Sequence, residues 1–309
     1  MSARGKNALS VPAQIRALEE WEDILGFVVA RPCRVMYVMG ATDRGKSTFC
    51  RYLARELAVE GTVGYLDCDT GQSSIGPPTT VGLALYRDSP EDPEAVFLRF
   101  VGSTSPVGHT LQHIVATARL KEKAAAEGAR YLIIDSPGWV IEPGAQEFHI
   151  RMIDLLQPDL LVAIQSGHEL EGIAVNFRRH PRMETKTVPV SAQVVERRRG
   201  WRRIYRTRKF ERYFSDLSTC TLSLAGIGVH GRMPETFRDE DWRDLVIALC
   251  DPGMMVITLG IVENLDIIGG TITFRSPPFD RDDVSSLHVG SLKIDLPRNQ
   301  EGPSETLSP

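Results

Sequence analysis

Lys46 and Ser47 are the residues whose types and spacing point most directly to chemistry, because they follow a loop bounded by two glycines. Gly40 and Gly45 are separated by four residues, and lysine and serine come directly after the second glycine. In that arrangement backbone N–H groups surround nucleotide phosphates, the lysine ammonium reaches the β- and γ-oxygens, and the serine hydroxyl binds Mg²⁺. The sequence therefore predicts a nucleoside triphosphate site formed by Gly40, Thr42, Asp43, Arg44, Gly45, Lys46, Ser47 and Thr48.

Such a loop needs a strand before it and a helix after it, and the flanking sequence has both patterns. Residues 35–39 form a continuous apolar run, which is typical of a short buried strand. Phe49, Leu53 and Leu57 recur every four residues and so share one face of a helix. The loop is therefore predicted to join a strand to a helix N-terminus, where phosphate groups bind favourably.

Two carboxylates follow the next predicted strand, residues 61–66. Asp67 and Asp69 stand at its carboxyl end, which is where an open α/β sheet places its ligands. Side chains two residues apart on a strand share a face, so both carboxylates are expected to approach Mg²⁺ or a reacting hydroxyl group. A solvated turn is the alternative interpretation, because Asp-Thr-Gly also favours turns.

A third group of candidate residues follows the buried run 131–134. Asp135 and Gly138 have the spacing of the γ-phosphate sensor of a GTPase, which makes a nucleotide-driven switch a competing hypothesis. The guanine-reading sequence Asn-Lys-x-Asp that should accompany this sensor does not occur in the chain. Trp139 suits two roles equally well, because it can stack on a nucleobase or pack in the core.

The strongest charge feature is a basic segment near residue 200. Nine lysine and arginine residues stand against one glutamate between residues 197 and 212. On a helix Arg198, Arg202 and Arg206 would place like charges on one face, which is unfavourable unless an anion binds there. A triphosphate, a phosphoryl group in transfer or a nucleic-acid backbone would serve, and the interleaved aromatic residues suit nucleic acid. A solvated helix face is the alternative.

The composition is that of an ordinary globular protein, with 42% hydrophobic and 25% charged residues among 309 and a formal net charge of −4. The five cysteines are widely spaced and include no C-x-x-C pair, so neither a disulfide framework nor a zinc site is expected. This pattern favours a cytoplasmic protein. No run of 18 apolar residues occurs, and no contact with a membrane is expected.

Strand-like and helix-like segments alternate through residues 31–216, which predicts an α/β fold. We expect the P-loop NTPase type, a mostly parallel sheet with helices on both faces. Short strand-like runs after that point predict a small β-rich C-terminal domain over residues 217–296. Residues 1–30 are expected to form a tail and a short acidic helix ending near Gly26, and residues 297–309 a disordered tail.

Four sequence blocks resemble the polynucleotide 5′-hydroxyl kinases, which include the RNA kinase of the pre-mRNA cleavage machinery and the ribosomal-RNA-processing kinases. They occur in the family's order and lie within residues 34–296. The resemblance implies transfer of the γ-phosphoryl group of ATP to a 5′-hydroxyl end of RNA or DNA. The blocks are residues 40–52, residues 66–72 (Leu-Asp-Cys-Asp-Thr-Gly-Gln), residues 102–106 leading to 135–139, and the arginine-rich residues 194–214.

The resemblance also implies roles for individual residues. Lys46 would contact ATP, Asp69 would activate the 5′-hydroxyl group, and Mg²⁺ would be held by Ser47 with Asp67 and Asp69. The segment of about 194–214 would act as a lid over ATP. Its catalytic arginines would be Arg197 and Arg202, with Arg206 as a further candidate, and the nucleic acid would be contacted by Gln72, Thr104, Ser105, Asp135 and Trp139.

Two other functions stay open at this stage. One is an ATPase or GTPase switch that has no acceptor substrate, and the other is a nucleic-acid-binding module with weak catalysis. The sequence indicates no particular protein partner.

Overall fold

The structure of the chain, a computed structural model, describes residues 17–87, 89–195, 199–236 and 238–295. Three predictions concern residues outside these ranges, namely the N-terminal tail before residue 17, the tail over 297–309 and the role of Arg197. Among the helices that the structure describes, none has the length and apolar character needed to cross a membrane.

A seven-stranded sheet forms the centre of the first part of the chain. Its strands are β1 (Val35–Met39), β2 (Val63–Asp67), β3 (Thr80–Tyr86), β4 (Ala95–Phe100), β5 (Tyr131–Asp135), β6 (Leu160–Gln165) and β7 (Glu184–Pro189). They lie in the order β4-β3-β2-β5-β1-β6-β7. The strands that run parallel are β2, β5, β1, β6 and β7, whereas β3 and β4 form an antiparallel edge next to β2. The predicted mostly parallel sheet is confirmed.

Helices cover both faces of this sheet, as predicted. Leu53 of the second helix packs on one face together with Trp21 of the first. Leu120 and Phe148, from the third and fourth helices, pack on the other face. Because both faces are covered, the central strands β1, β5 and β6 consist of almost continuous buried residues. The helices are α1 (Glu19–Ala30), α2 (Lys46–Leu57), α3 (Thr110–Ala126), α4 (Ala145–Leu156), α5 (Glu171–Ala174), α6 (Arg199–Tyr213) and α7 (Asp239–Trp242).

A second sheet of six strands follows α6, in agreement with the predicted β-rich region. Its strands are β8 (Ser218–Ser223), β9 (Gly228–Gly231), β10 (Leu245–Cys250), β11 (Val256–Asp266), β12 (Thr271–Ser276) and β13 (Ser286–Lys293). Their order is β8-β12-β11-β10-β13-β9, and only the β13-β9 pair is parallel. Phe100 of β4 and Phe210 and Phe214 from the end of α6 pack against one face of this sheet. The second sheet is thus anchored to both the first sheet and the arginine-rich helix.

Some predicted details were wrong. Helix α1 does not end near Gly26 but continues to Ala30, since the glycine has open space around it and Pro32 lies just beyond the helix end. Strands β3, β7, β9 and β10 were not predicted. Strands β3 and β10 are buried along their whole length, and the Pro77-Pro78 pair just before β3 favoured a loop there.

Candidate active site

The phosphate loop lies between the carboxyl end of β1 and the start of α2, near the middle of the parallel sheet. Gly40 is required at the first position because a Cβ atom there would lie 2.7 Å from the carbonyl oxygen of Ile164. Gly45 has a φ of 87°, a left-handed conformation that favours glycine, and α2 begins at the next residue. The predicted strand-loop-helix unit is therefore present.

The N-terminus of α2 and Lys46 make this loop suitable for an anion. Gly45 is the N-cap residue and has no side chain to occupy the first N–H groups of the helix, which carry partial positive charge. Lys46 is 8% exposed, and its Nζ donates to the carbonyl oxygen of Ala41 over 3.0 Å. The ammonium group is thus held within the loop, where a bound phosphate group would lie.

A cavity of about 560 Å³ opens over this loop, which is within the usual size range of small-molecule sites. Residues 42–48 line this cavity, and so do Asp69 and Gln72. Trp201 and Tyr205 of α6 also line the cavity. The cavity therefore joins three of the sequence blocks that were identified separately.

Asp67 and Asp69 have different environments. Asp67 is the last residue of β2 and is buried, and its carboxylate accepts hydrogen bonds from Asp69 N (3.0 Å) and Ser74 Oγ (2.7 Å). Asp69 lies past the strand, in a turn where Oδ1 accepts from the N–H groups of Gly71 and Gln72, both at 2.9 Å. The expectation that both carboxylates share one strand face was wrong, because β2 ends at Asp67. Asp69 alone of the two lines the cavity.

Asp135 is the last residue of β5 and lies opposite Asp67 on the neighbouring strand. Its Oδ2 accepts a hydrogen bond from the Tyr65 hydroxyl at 3.0 Å, and its Oδ1 has no hydrogen-bond partner among the described residues. Burial raises the pKa of Asp135, although the nearby Lys46 ammonium and the Ser47 hydroxyl both counteract this effect. A buried carboxylate oxygen beside the loop serine suits a hard cation such as Mg²⁺.

The segment after Asp135 lies against the phosphate loop. Thr42 Oγ1 donates to the carbonyl oxygen of Gly138 over 3.2 Å, and a Cβ atom on Gly138 would come within 2.8 Å of Thr42 N. Trp139 is partly buried and packs on Phe148 of α4, with ring centroids 5.7 Å apart. The tryptophan is thus partly a core residue, and base stacking by it stays a prediction.

Thr104 and Ser105 lie in the turn that follows β4. The carbonyl oxygen of Thr104 lies against Gly71, where a Cβ atom would approach it to 2.7 Å. Ser105 Oγ accepts a hydrogen bond from the N–H group of Val107 at 3.2 Å, as a turn-capping hydroxyl does. On the other side, Ser291 of β13 donates its N–H group to the carbonyl oxygen of Gly102 over 2.9 Å. The turn is therefore held between the Asp69 turn and the second sheet.

Helix α6 crosses the phosphate loop. Arg202 forms an ion pair with Asp43 of the loop (2.8 Å), and Tyr205 donates its hydroxyl to the carbonyl oxygen of Ser73 over 3.1 Å. Trp201 stacks on Tyr205, with ring centroids 5.1 Å apart. Arg206 is half-buried on the same helix. The structure thus brings Arg202 to the loop, and the role of this segment as a lid stays a prediction.

Two basic residues near the carboxylates were not predicted. Arg51 of α2 lines the cavity; burial alone would lower its pKa, but the charges of Tyr65, Asp135 and Asp67 raise it. Burial lowers the pKa of Lys209, and the negative charge of Asp67 partly offsets this lowering. Arg51 lies four residues after Ser47 and so on the same face of the loop helix, which is a sequence signal of proximity to the site. Lys209 was counted only as part of the basic segment.

A family model and several known proteins match this chain. The family model described as "mRNA cleavage and polyadenylation factor CLP1 P-loop" matches residues 40–216. A polyribonucleotide 5′-hydroxyl-kinase of Pyrococcus furiosus is 33% identical over 220 residues, which are 69% of this chain and 59% of the relative. One from Methanocaldococcus jannaschii is 24% identical over 327 residues, or 86% of this chain and 88% of the relative.

Similarity also extends to Clp1 proteins. The polyribonucleotide 5′-hydroxyl-kinase Clp1 of Homo sapiens is 31% identical over 207 residues, covering 60% of this chain and 46% of the relative. A solved Clp1p–Pcf11p complex superposes with a TM-score of 0.69 at 11% identity, covering 89% of this chain and 79% of the compared chain. That likeness shows a shared fold.

Proposed function

We propose that this chain, which belongs to the CLP1 P-loop family, transfers the γ-phosphoryl group of ATP to the 5′-hydroxyl end of RNA. The observation that carries this proposal is the position of Asp69, whose side chain lines the same cavity as the phosphate loop. A switch ATPase needs no carboxylate for an acceptor hydroxyl group, whereas a kinase does. The names of the relatives described above support the same reaction.

Phosphoryl transfer depends on positioning and charge neutralisation more than on covalent chemistry by the protein. Lys46 and the N–H groups at the start of α2 hold the phosphates of ATP in this proposal. Asp69 accepts the proton of the 5′-hydroxyl group while the hydroxyl oxygen bonds to the γ-phosphorus atom. The bond from that phosphorus atom to the bridging oxygen breaks at the same time, and ADP leaves.

Ser47 and Asp135 are the residues that we propose to hold Mg²⁺, since Oδ1 of Asp135 is buried and lacks a hydrogen-bond partner among the described residues. Bound Mg²⁺ would supply charge neutralisation on the β- and γ-phosphates. Both carboxylate oxygens of Asp67 already accept hydrogen bonds, one of them from the N–H group of Asp69, so we assign this residue to the orientation of Asp69. Asp69 stays available to the acceptor.

The arginine-rich helix supplies the remaining positive charge. Arg202 is assigned to the transferring phosphoryl group because its ion pair with Asp43 places it on the loop. Arg206 and Arg197 are assigned to the same lid. On the acceptor side, the nucleic acid would be contacted by Gln72, Thr104, Ser105 and Trp139.

Label transfer tests the proposal directly. The purified chain is incubated with γ-labelled ATP, Mg²⁺ and a single-stranded oligoribonucleotide that carries a 5′-hydroxyl end, and in parallel with the same oligonucleotide carrying a 5′-phosphate. The proposal predicts label on the first oligonucleotide and none on the second. Label released only as inorganic phosphate would favour a switch ATPase, and no turnover would favour a binding module.

A further inference from the structure

A buried histidine lies behind the turn that carries the proposed base. His113 of α3 donates its Nε2–H group to the carbonyl oxygen of Cys68 over 2.8 Å. Cys68 is the residue between Asp67 and Asp69. Because a carbonyl oxygen only accepts hydrogen bonds, Nε2 is the atom that carries the proton. His113 thus fixes the peptide group between Cys68 and Asp69, which lies in the segment that connects the two aspartates.

A second buried histidine lies behind the segment that carries Trp139. His149 of α4 donates its Nε2–H group to the carbonyl oxygen of Trp139 over 3.0 Å. Its Nδ1 accepts a hydrogen bond from the Tyr37 hydroxyl at 2.7 Å. Tyr37 belongs to β1, the strand that leads into the phosphate loop, so His149 connects that strand to the tryptophan segment.

The two histidines belong to one aromatic cluster between α3 and α4. The Phe148 ring meets the rings of His113 and His149 edge to face, with centroids 5.2 and 5.3 Å apart. The Trp139 ring is 5.7 Å from the same phenylalanine. A contact of this kind restrains the orientation of each imidazole ring. Both hydrogen bonds are therefore held by packing as well as by their own geometry.

Both imidazoles are neutral at physiological pH. Each side chain is fully buried, and burial lowers the pKa of His113 to about 4 and that of His149 to about 3. A neutral imidazole has one N–H group, so donation from Nε2 leaves Nδ1 as an acceptor. Nδ1 of His113 has no partner among the described residues. Neither ring reaches the cavity, so neither acts as an acid or a base on the substrate.

We propose that His113 and His149 are positioning residues for the two halves of the acceptor site. His113 holds the turn that aims Asp69 at the 5′-hydroxyl group. His149 holds the backbone that presents Trp139 to the nucleic acid. This inference rests on the kinase function proposed above, and it predicts that the two histidines affect different kinetic constants.

The test for His113 compares two substitutions. His113→Met fills similar space but has no N–H donor, and His113→Gln restores a donor of similar reach. The methionine variant is expected to lower kcat about 10- to 100-fold, because a small displacement of a reacting group is costly, with the KM for the oligonucleotide unchanged. The glutamine variant is expected to recover most of kcat.

The same pair of substitutions at His149 gives the opposite pattern. His149→Met is expected to raise the KM for the oligonucleotide about 10-fold, because stacking by Trp139 contributes to binding rather than to the reaction, while kcat at saturation is unchanged. His149→Gln is expected to restore the KM. His180→Met is the control, since His180 precedes the edge strand β7 and its Nδ1 accepts a hydrogen bond from the N–H group of Arg182, and it should change neither constant.

Equal changes in both constants for the two methionine variants, or no recovery with glutamine, would overturn the proposal. Nitrogen-15 spectra of the wild-type protein provide a test that needs no variant and no activity. Both histidines are expected as neutral Nε2–H tautomers at pH 7, and an Nδ1–H tautomer at either would contradict the assigned hydrogen bond. If the wild-type protein gives these spectra but transfers no label, the kinase proposal is refuted, whereas the two assigned hydrogen bonds stand.

Discussion

Asp67 and Asp135 are paired directly across two neighbouring parallel strands, as the last residues of β2 and β5. Two buried carboxylates in such proximity disfavour each other's ionisation. Burial, together with the charges of Asp135 and Asp69, raises the pKa of Asp67 to about 6. The sheet thus concentrates negative charge beside the phosphate loop, where Lys46 and a bound cation would offset it.

This pair predicts a specific pH dependence of stability. The folded state binds a proton at Asp67 more tightly than the unfolded chain does, since the pKa rises from 3.8 to about 6 on folding. The contribution of Asp67 to the free energy of unfolding is therefore fully present below pH 4 and is lost as the pH rises to about 6. We expect the free energy of unfolding, measured with urea, to fall between pH 4 and pH 6.5 by about 1–3 kcal/mol more in the wild type than in Asp67→Asn. The same loss in both proteins would contradict the shifted pKa.

Lys46→Ala is expected to reduce kcat to less than about a tenth of the wild-type value. The substitution removes the charge that accompanies the migrating phosphoryl group, which acts mainly in the transition state. Steady-state label transfer measures the effect, with thermal melting to verify the fold. Arg55→Ala is the control because Arg55 lies exposed on the same helix and forms an ion pair with the neighbouring Glu56. A kcat of Lys46→Ala above a tenth of the wild-type value would refute the assignment of this loop to the phosphates of ATP.

The arginine-rich helix should give two kinds of kinetic effect. Arg202→Ala is expected to lower kcat and kcat/KM together, because its ion pair with Asp43 places the guanidinium on the phosphate loop. Arg208 and Arg212 are exposed, so Arg208→Ala and Arg212→Ala should instead raise the KM for the oligonucleotide. Each should also reduce the slope of log KM against log salt concentration by about one. Assays over a range of salt concentrations separate the two effects. Wild-type kcat in Arg202→Ala would refute the lid.

The second sheet should affect the acceptor rather than ATP. Gly290 of β13 packs on the turn after β4, and a Cβ atom there would lie 3.0 Å from the carbonyl oxygen of Gly102 and 2.8 Å from that of Val246. Gly290→Ala is therefore expected to displace that turn and raise the KM for the oligonucleotide severalfold, while the KM for ATP is unchanged. Gly228→Ala, on β9 of the same sheet, has room for a methyl group and is the matched control. Identical constants in the two variants would show that the sheet does not support the turn.

Local patterns explain what was predictable from the sequence. The strand, loop and helix around Lys46 were predicted because glycine spacing and apolar periodicity are properties of neighbouring residues. The parallel sheet followed from the alternation of such segments, and the comparisons confirm the family. The cytoplasmic location and the domain boundaries stay predictions, as do the roles of the site residues.

Non-local packing explains what was missed. Strand β10 is the exception, because its uninterrupted apolar run is the same local signal that predicted β1, and only its place between β11 and β13 depends on packing. The pairing of Asp67 with Asp135 depends on strand order, which no local pattern specifies. His113 and His149 show no ligand spacing in the sequence, and their partners Cys68 and Trp139 reach them only through the packing of α3 and α4. Their role becomes visible only in the folded protein.

Single-turnover transfer by Asp69→Asn tests most directly the central claim, that Asp69 activates the acceptor. Enzyme preloaded with γ-labelled ATP and Mg²⁺ is mixed with a saturating 5′-hydroxyl oligoribonucleotide, and ATP affinity is measured separately by equilibrium binding. The account predicts a rate of label transfer about 10²- to 10⁴-fold below wild type with unchanged ATP affinity. Transfer by Asp69→Asn at the wild-type rate, or a greater loss in Asp67→Asn than in Asp69→Asn, would contradict it.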